Sequence, residues 1–247
     1  MTEPNNIPWK RLTAEGAAIV ASILLAFWID AWWDNRVEQN AFSKNLFALE
    51  QEISRNLAHM EERLSRVETN FKKLDGMFQF LNDPDRQILP EELAQDIGQI
   101  YSIHGSDLTH SAFDVVMSPG NLRLVKDTEL RISIVQTKES ITDVDEMFGF
   151  LWDDYTDHQA PFLKRHFVIS DFGWNEDELL LQQSGLHHPV PAAKFSIDYA
   201  ALRTREFWNL LYHWRASYLD ASRSILEAKE HHQATLALLE REIEKHQ

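Results

Sequence analysis

The stretch AEGAAIVASILLAFWIDAWWDNR, residues 14–36, decides how the rest of the chain is read. From Ala14 to Trp33 its only charges are Glu15 and Asp30, one near each end. As an α-helix, at about 1.5 Å per residue, this run is about 30 Å long, one hydrocarbon thickness of a bilayer. Trp9, Lys10 and Arg11 precede it, and Trp28, Trp32 and Trp33 cluster at its far end. Aromatic rings at both ends and a basic N-terminal flank match the two headgroup layers that a spanning helix meets. Asp30 then falls about one turn inside the outer boundary, where a carboxylate costs less than at a helix centre. Lys10 and Arg11 on one side, against Arg36 as the nearest basic residue on the other, predict the N-terminus inside and the body outside. The bulky tryptophans after the apolar run leave no small-x-small cleavage site, so the segment reads as a retained anchor.

A second pattern lies on the same segment. Ala14, Ala18, Ser22, Ala26 and Asp30 recur every four residues and form one ridge of small side chains with a polar end. Such ridges let membrane helices approach closely, which makes this one a candidate helix–helix contact.

Beyond the anchor no turn signal occurs before Asn82, so the helix is expected to run on into the body. Apolar residues follow at Phe42, Leu46, Leu49, Ile53, Leu57, Met60, Leu64, Val67, Phe71, Leu74, Phe78 and Leu81, with the heptad steps of a packed seam from Leu57 onward. Asp83-Pro84 breaks it. A matching stripe runs through Phe207, Leu211, Trp214, Tyr218, Ala221, Ile225, Ala228, His232, Leu236, Leu239 and Ile243. Two seams of similar length predict an antiparallel pair.

Between them, Pro90 opens a helix with Glu91 and Glu92 in its first turn. A short helix over SAFDVVM is expected to stop at Ser118-Pro119-Gly120. Asp127 is placed to cap a long helix with its apolar face at Ile134, Ile141, Val144, Phe148, Leu151 and Tyr155, which Pro161 ends or kinks. Asn175 and Gly185 frame another short helix, and HHPVPAAKFS reads as an extended connector.

The expected fold is therefore all-α: an N-terminal transmembrane helix continuing into a long antiparallel hairpin, a coiled-coil-like bundle with smaller helices at its distal end. Residues 1–13 form a short cytoplasmic N-terminus, 14–33 the transmembrane helix and 34–247 an extracytoplasmic domain. Within that domain 34–82 and 197–246 are the long paired helices and 83–196 the distal part.

Composition limits function. The 39 acidic residues outweigh 24 basic ones, for a formal charge of −15. No basic face for nucleic acid is expected, nor a body lying flat on anionic lipid. The chain has no cysteine, which excludes disulfides, thiolate catalysis and thiolate-held metals. No metal or cofactor is expected. His187-His188 and His231-His232 are adjacent pairs, but Glu227 to His231 is a four-step and no second Glu-x-x-His occurs. SPGNLRL lacks the Gly-Lys-Ser/Thr ending of a phosphate loop. Asp153, Asp154 and Asp157 follow one another on one helix and read as a solvated acidic face.

Three landmarks carry a resemblance: EGAAIVASILLAFWIDAWWDNR, SAFDVVMSPGNLRLVKDTELRISI and REFWNLLYHWRASYLDASRSILE. Together they resemble a family of bacterial single-span membrane proteins of unknown function. Its pattern is a glutamate before an apolar span, a Ser-x-Gly-Asn-Leu-x-Leu motif and a late Phe-x-Asn-Leu-Leu helix. The chain departs from it at Glu15-Gly16, where the family has the reverse order. The resemblance implies a bacterial cytoplasmic-membrane protein and supplies no reaction.

The chain is thus expected to be a non-enzymatic, membrane-anchored interaction or accessory subunit. Its partners would be the lipid bilayer and either further copies of itself or another membrane protein. A receptor-like bundle that senses a ligand and acts through a partner is the alternative. An ion-driven motor subunit using Glu15 or Asp30 is a remote one.

Overall fold

The computed structural model describes residues 9–102, 105–168 and 197–245, with side chains from Glu15 onward. The Asn175 cap, the Gly185 stop, the His187-His188 pair and the extended connector lie outside the described residues. The described residues are 86% helical and contain no strand.

Helix α1, Trp9–Asn82, is 74 residues long, about 110 Å. It ends where the Asp83-Pro84 pair removes the next backbone donor, and Asp83 folds back to donate to the Gln79 carbonyl at 3.1 Å. Helix α2, Pro90–Ile100, begins on Pro90 as expected. Helix α3, Ser111–Met117, is followed at once by the single turn α4, Pro119–Leu122. Pro119 therefore opens a second helix instead of only closing the first: a ring without an N–H costs nothing at a first helical position. Helix α5, Thr128–Asp154, is capped by Asp127, whose carboxylate accepts from the amides of Glu129 at 2.9 Å and Leu130 at 3.2 Å. The regular α-helix ends at Asp154, and Pro161 stands in the first turn of the next helix. A wide π turn, Tyr155–Gln159, absorbs the ring and hands the chain to α6, Ala160–His166. A one-turn helix α7, Tyr199–Leu202, leads into α8, Arg205–Glu244, which Thr204 caps through the Phe207 amide.

Helix α8 is the spine, with α1 and α5 each packed along its length. It runs antiparallel to α1: Phe207 shares a cluster with Leu74 and Phe80, while Ile243 shares one with Phe42. The paired seams of α1 and α8 thus meet, but a third long helix completes the body. Near the apolar end of α1, one core gathers Phe42, Leu46, Leu49 and Ile53 with Phe113, Val116, Leu130 and Leu239. A narrow waist holds Met60, Val144, Ile225 and Ala228. The far core packs Leu74, Met77 and Phe80 against Leu93, Ile97, Phe162, Phe207 and Trp214. The intervening chain is accordingly not confined to the distal end: α2, α6 and α7 sit there, whereas α3 and α4 return towards the apolar end of α1. The apolar phases shift slightly along both long helices. Met77 and Phe80 are buried where Phe78 and Leu81 are half-buried, and Leu238 is buried where Leu236 is half-buried.

Polar groups tie these layers together. Trp214 donates through Nε1 to the Ile100 carbonyl at 2.8 Å and the Tyr218 hydroxyl donates to the same oxygen at 2.7 Å. Two bonds thus close the C-terminal end of α2, whose last carbonyls have no partner within the helix. Asn70 in turn donates to the Tyr218 hydroxyl at 2.9 Å, and burial pushes that phenol up to about 12.

Candidate functional site

Two regions have the makings of a site: the apolar end of α1 and a lateral cleft between α5 and the α2–α3 connector.

Among the described residues one helix, α1, is long and apolar enough to cross a membrane, and none of its apolar window is buried within the protein. Ile19, Val20, Ile23, Leu24, Leu25, Phe27, Trp28, Ile29, Trp32 and Trp33 are all exposed, and they cover the whole circumference of the cylinder. A helix apolar on every side needs an apolar surrounding, since each large side chain left in water forgoes about 1.5–3 kcal/mol. At the C-terminal end of the apolar run the Arg36 guanidinium lies 5.6 Å from the Trp32 ring centroid, a cation over an aromatic face where the run stops. Trp9, Lys10, Arg11 and Ala14 belong to α1, but their side chains lie outside the described ones. Ala18, Ser22, Ala26 and Asp30 are exposed and share one ridge at four-residue spacing. The Ser22 hydroxyl donates to the Ala18 carbonyl at 2.8 Å, so it is satisfied inside its own helix and leaves the ridge smooth.

The body meets this helix through a polar layer that periodicity did not disclose. Glu52 and Asn56, both buried, occupy positions between seam residues of α1. The Glu52 carboxylate accepts from the Ala112 amide at 3.0 Å, the Phe113 amide at 3.4 Å and the Ser111 hydroxyl at 2.8 Å. It caps α3 from far away in sequence, because His110 at the helix's own N-cap makes no side-chain cap bond. Asn56 clamps the backbone of Thr109 from both sides, accepting from its amide at 3.0 Å and donating to its carbonyl at 2.8 Å. Its amide nitrogen also lies 3.3 Å from Nε2 of His232, whose Nδ1 lies 2.7 Å from the Ala228 carbonyl. These partners define a neutral ring: Nδ1 donates and Nε2 accepts. Burial holds its pKa down at about 4. His232 is therefore a satisfied core histidine, and His231 is exposed beside it. No group of three or more metal-ligating side chains occurs among the described residues.

The cleft is open to solvent, has a volume of about 490 Å³ and is lined by Gly105, Ser106, Asp107, Asp145, Phe148, Gly149 and Trp152. Asp145, Phe148, Gly149 and Trp152 stand at i, i+3, i+4 and i+7, one face of α5. Gly105, Ser106 and Asp107 form the opposite wall. The Ser106 hydroxyl donates to Asp145 and joins the two walls, while Asp107 pairs with Arg63 from α1. Asp107 is held at φ 56°, a left-handed conformation that aspartate tolerates better than most residues. Behind Trp152 a file of rings leads inward: Tyr155 at 6.0 Å, then Trp214 at 6.3 Å from Tyr155, then Tyr218 at 5.6 Å from Trp214.

Comparison with family models, with curated proteins and with solved structures finds no match.

One expectation needs correction near the cleft. Asp153 and Asp157 are exposed, as a solvated acidic face requires, but Asp154 is buried. It sits three residues after Leu151 on the inward face of α5, with Nδ1 of His213 at 3.4 Å and Nε2 of Gln159 at 3.3 Å from its carboxylate. The sequence signal for it was the i, i+3 spacing from Leu151, which a reading of consecutive acids overlooks.

Proposed function

We propose that the chain is a non-enzymatic, single-pass protein of the bacterial cytoplasmic membrane. Residues 14–33 would span the bilayer with the N-terminus in the cytoplasm, and the helical body would stand on the periplasmic side as an interaction or accessory subunit. One observation carries this reading: the fully exposed apolar cylinder of α1 runs without a break into a packed body. The small-residue ridge from Ala14 to Asp30 is the surface on which a second copy, or a foreign membrane helix, would pack. The family resemblance and the basic flank at Lys10 and Arg11 support the same placement.

Native mass measurement of the full-length protein in a bilayer mimic tests it. The expected result is a homo-oligomer or a stoichiometric complex with another membrane protein, weakened by Ser22→Leu. A monomer with nothing attached, or an assembly indifferent to that substitution, refutes the ridge as the contact. The cleft favours a second reading, a ligand-sensing bundle that acts through such a partner.

A further inference from the structure

We propose that the cleft between α5 and the α2–α3 connector binds a small organic cation, an ammonium compound carrying an apolar body. The inference deepens the ligand-sensing reading, yet it stands on the cleft and would survive the loss of the membrane assignment.

Size comes first. About 490 Å³ lies within the roughly 300–1,000 Å³ of small-molecule sites. Charge comes second. Among the described lining residues two are carboxylates, Asp107 and Asp145, and none is basic. Arg63 pairs with Asp107 from α1, but its side chain is only 12% exposed against 57% for Asp107. The guanidinium is the more buried partner and does not line the cleft, whereas both carboxylates do, so the charge offered to a guest is net negative.

The aromatic wall then selects the kind of cation. Trp152 is exposed and Phe148 half-buried beside it, and an indole face attracts weakly hydrated cations such as alkylated ammonium groups. A methyl added at Gly149 or Gly105 would meet no atom within 4 Å. Packing therefore does not require glycine at either place, and the missing side chains keep the cleft open for the apolar part of a guest. Gly149 holds this position in the body of α5, where glycine weakens the helix relative to alanine.

Choline is the probe, and 3,3-dimethylbutan-1-ol is its uncharged twin of nearly equal shape. Each is titrated by calorimetry into the full-length protein in non-ionic micelles, with empty micelles as the blank. Choline should bind saturably with an affinity of about 1 mM, and the neutral twin about tenfold more weakly. Trp152→Ala should weaken choline about two- to fivefold, and Asp145→Asn should narrow the gap between choline and its twin. Gly149→Leu, which fills the cleft, should abolish binding with the helical circular dichroism signal retained. Equal binding of the two probes overturns the proposal. So does unsaturable choline at about 10 mM, or wild-type affinity in the Trp152→Ala and Asp145→Asn proteins. A native-mass result that refutes the membrane assembly leaves all of these readouts unchanged.

Discussion

Acidification should loosen the body at one identifiable residue, His232. The ring is fully buried, with Nδ1 donating to the Ala228 carbonyl and Nε2 receiving the Asn56 amide. A proton on Nε2 would face that N–H, so the charged form loses a partner as well as its hydration. The Glu52 carboxylate favours the charge and His231 opposes it, and burial outweighs both. The folded pKa of about 4 stands below the ordinary 6.5, so the unfolded chain takes up the proton first. The stability due to neutral His232 is therefore complete above pH 6.5, falls as pH drops from 6.5 towards 4, and is flat below. At about 1.4 kcal/mol per pH unit the loss is bounded at about 3 kcal/mol. Urea unfolding of the full-length protein in non-ionic micelles, followed by circular dichroism at several values between pH 4 and 8, reads it. Carboxylates also titrate there, so His232→Gln supplies the reference. The wild-type curve should fall by up to about 3 kcal/mol more than the variant's. Parallel curves would mean that the ring is relieved of its charge penalty, and the reasoning from burial would fail.

Two further outcomes follow from the same layer and its neighbour. Glu52→Ala strands the Ala112 and Phe113 amides and the Ser111 hydroxyl, and should cost about 3 kcal/mol in urea unfolding; a loss below 1 kcal/mol would show that α3 finds another cap. Asp127→Ala removes the two-amide cap of α5 and should cost about 1 kcal/mol, whereas Asp127→Asn, which caps as well, should change little.

Most of the helical framework was legible because its signals are local. Pro90, Asp127 and Asp83-Pro84 act within one turn of themselves, and each does in the structure what its chemistry requires. The seam of α8 was readable for the same reason: burial at Phe207, Leu211, Trp214 and Tyr218 repeats with the helix. What escaped was whatever depends on a partner distant in sequence. Glu52 and Asn56 look like solvent-facing residues until Ser111 and Thr109 arrive against them. The third long helix was placed correctly along the chain but not in space, since nothing local says that α5 packs on α8. The cleft was invisible for the same reason. Asp145, Phe148, Gly149 and Trp152 mark one helix face, but the wall opposite is a connector without periodicity.

The continuity of α1 has a mechanical consequence that can be separated from the stability of the body. Between Trp33 and Phe42 the helix contributes no buried side chain, and the Glu38–Arg123 ion pair braces it from the side. That pair is exposed and worth at most about 1 kcal/mol, so the link is stiff only because it is helical. Proline at position 35 should break it. Asn35→Pro removes a backbone hydrogen bond and clashes with the preceding turn, at a local cost of about 3 kcal/mol. Residue 35 is exposed and lies outside every core cluster. The kink is therefore borne by the link, and the unfolding free energy of the body in urea should stay within about 0.5 kcal/mol of wild type. A fall of that free energy in step with the local cost would mean that the apolar end and the body fold as one unit. If the free energy holds and any assembly found by native mass is lost, the straightness of α1 is what sets the body in place for its partner.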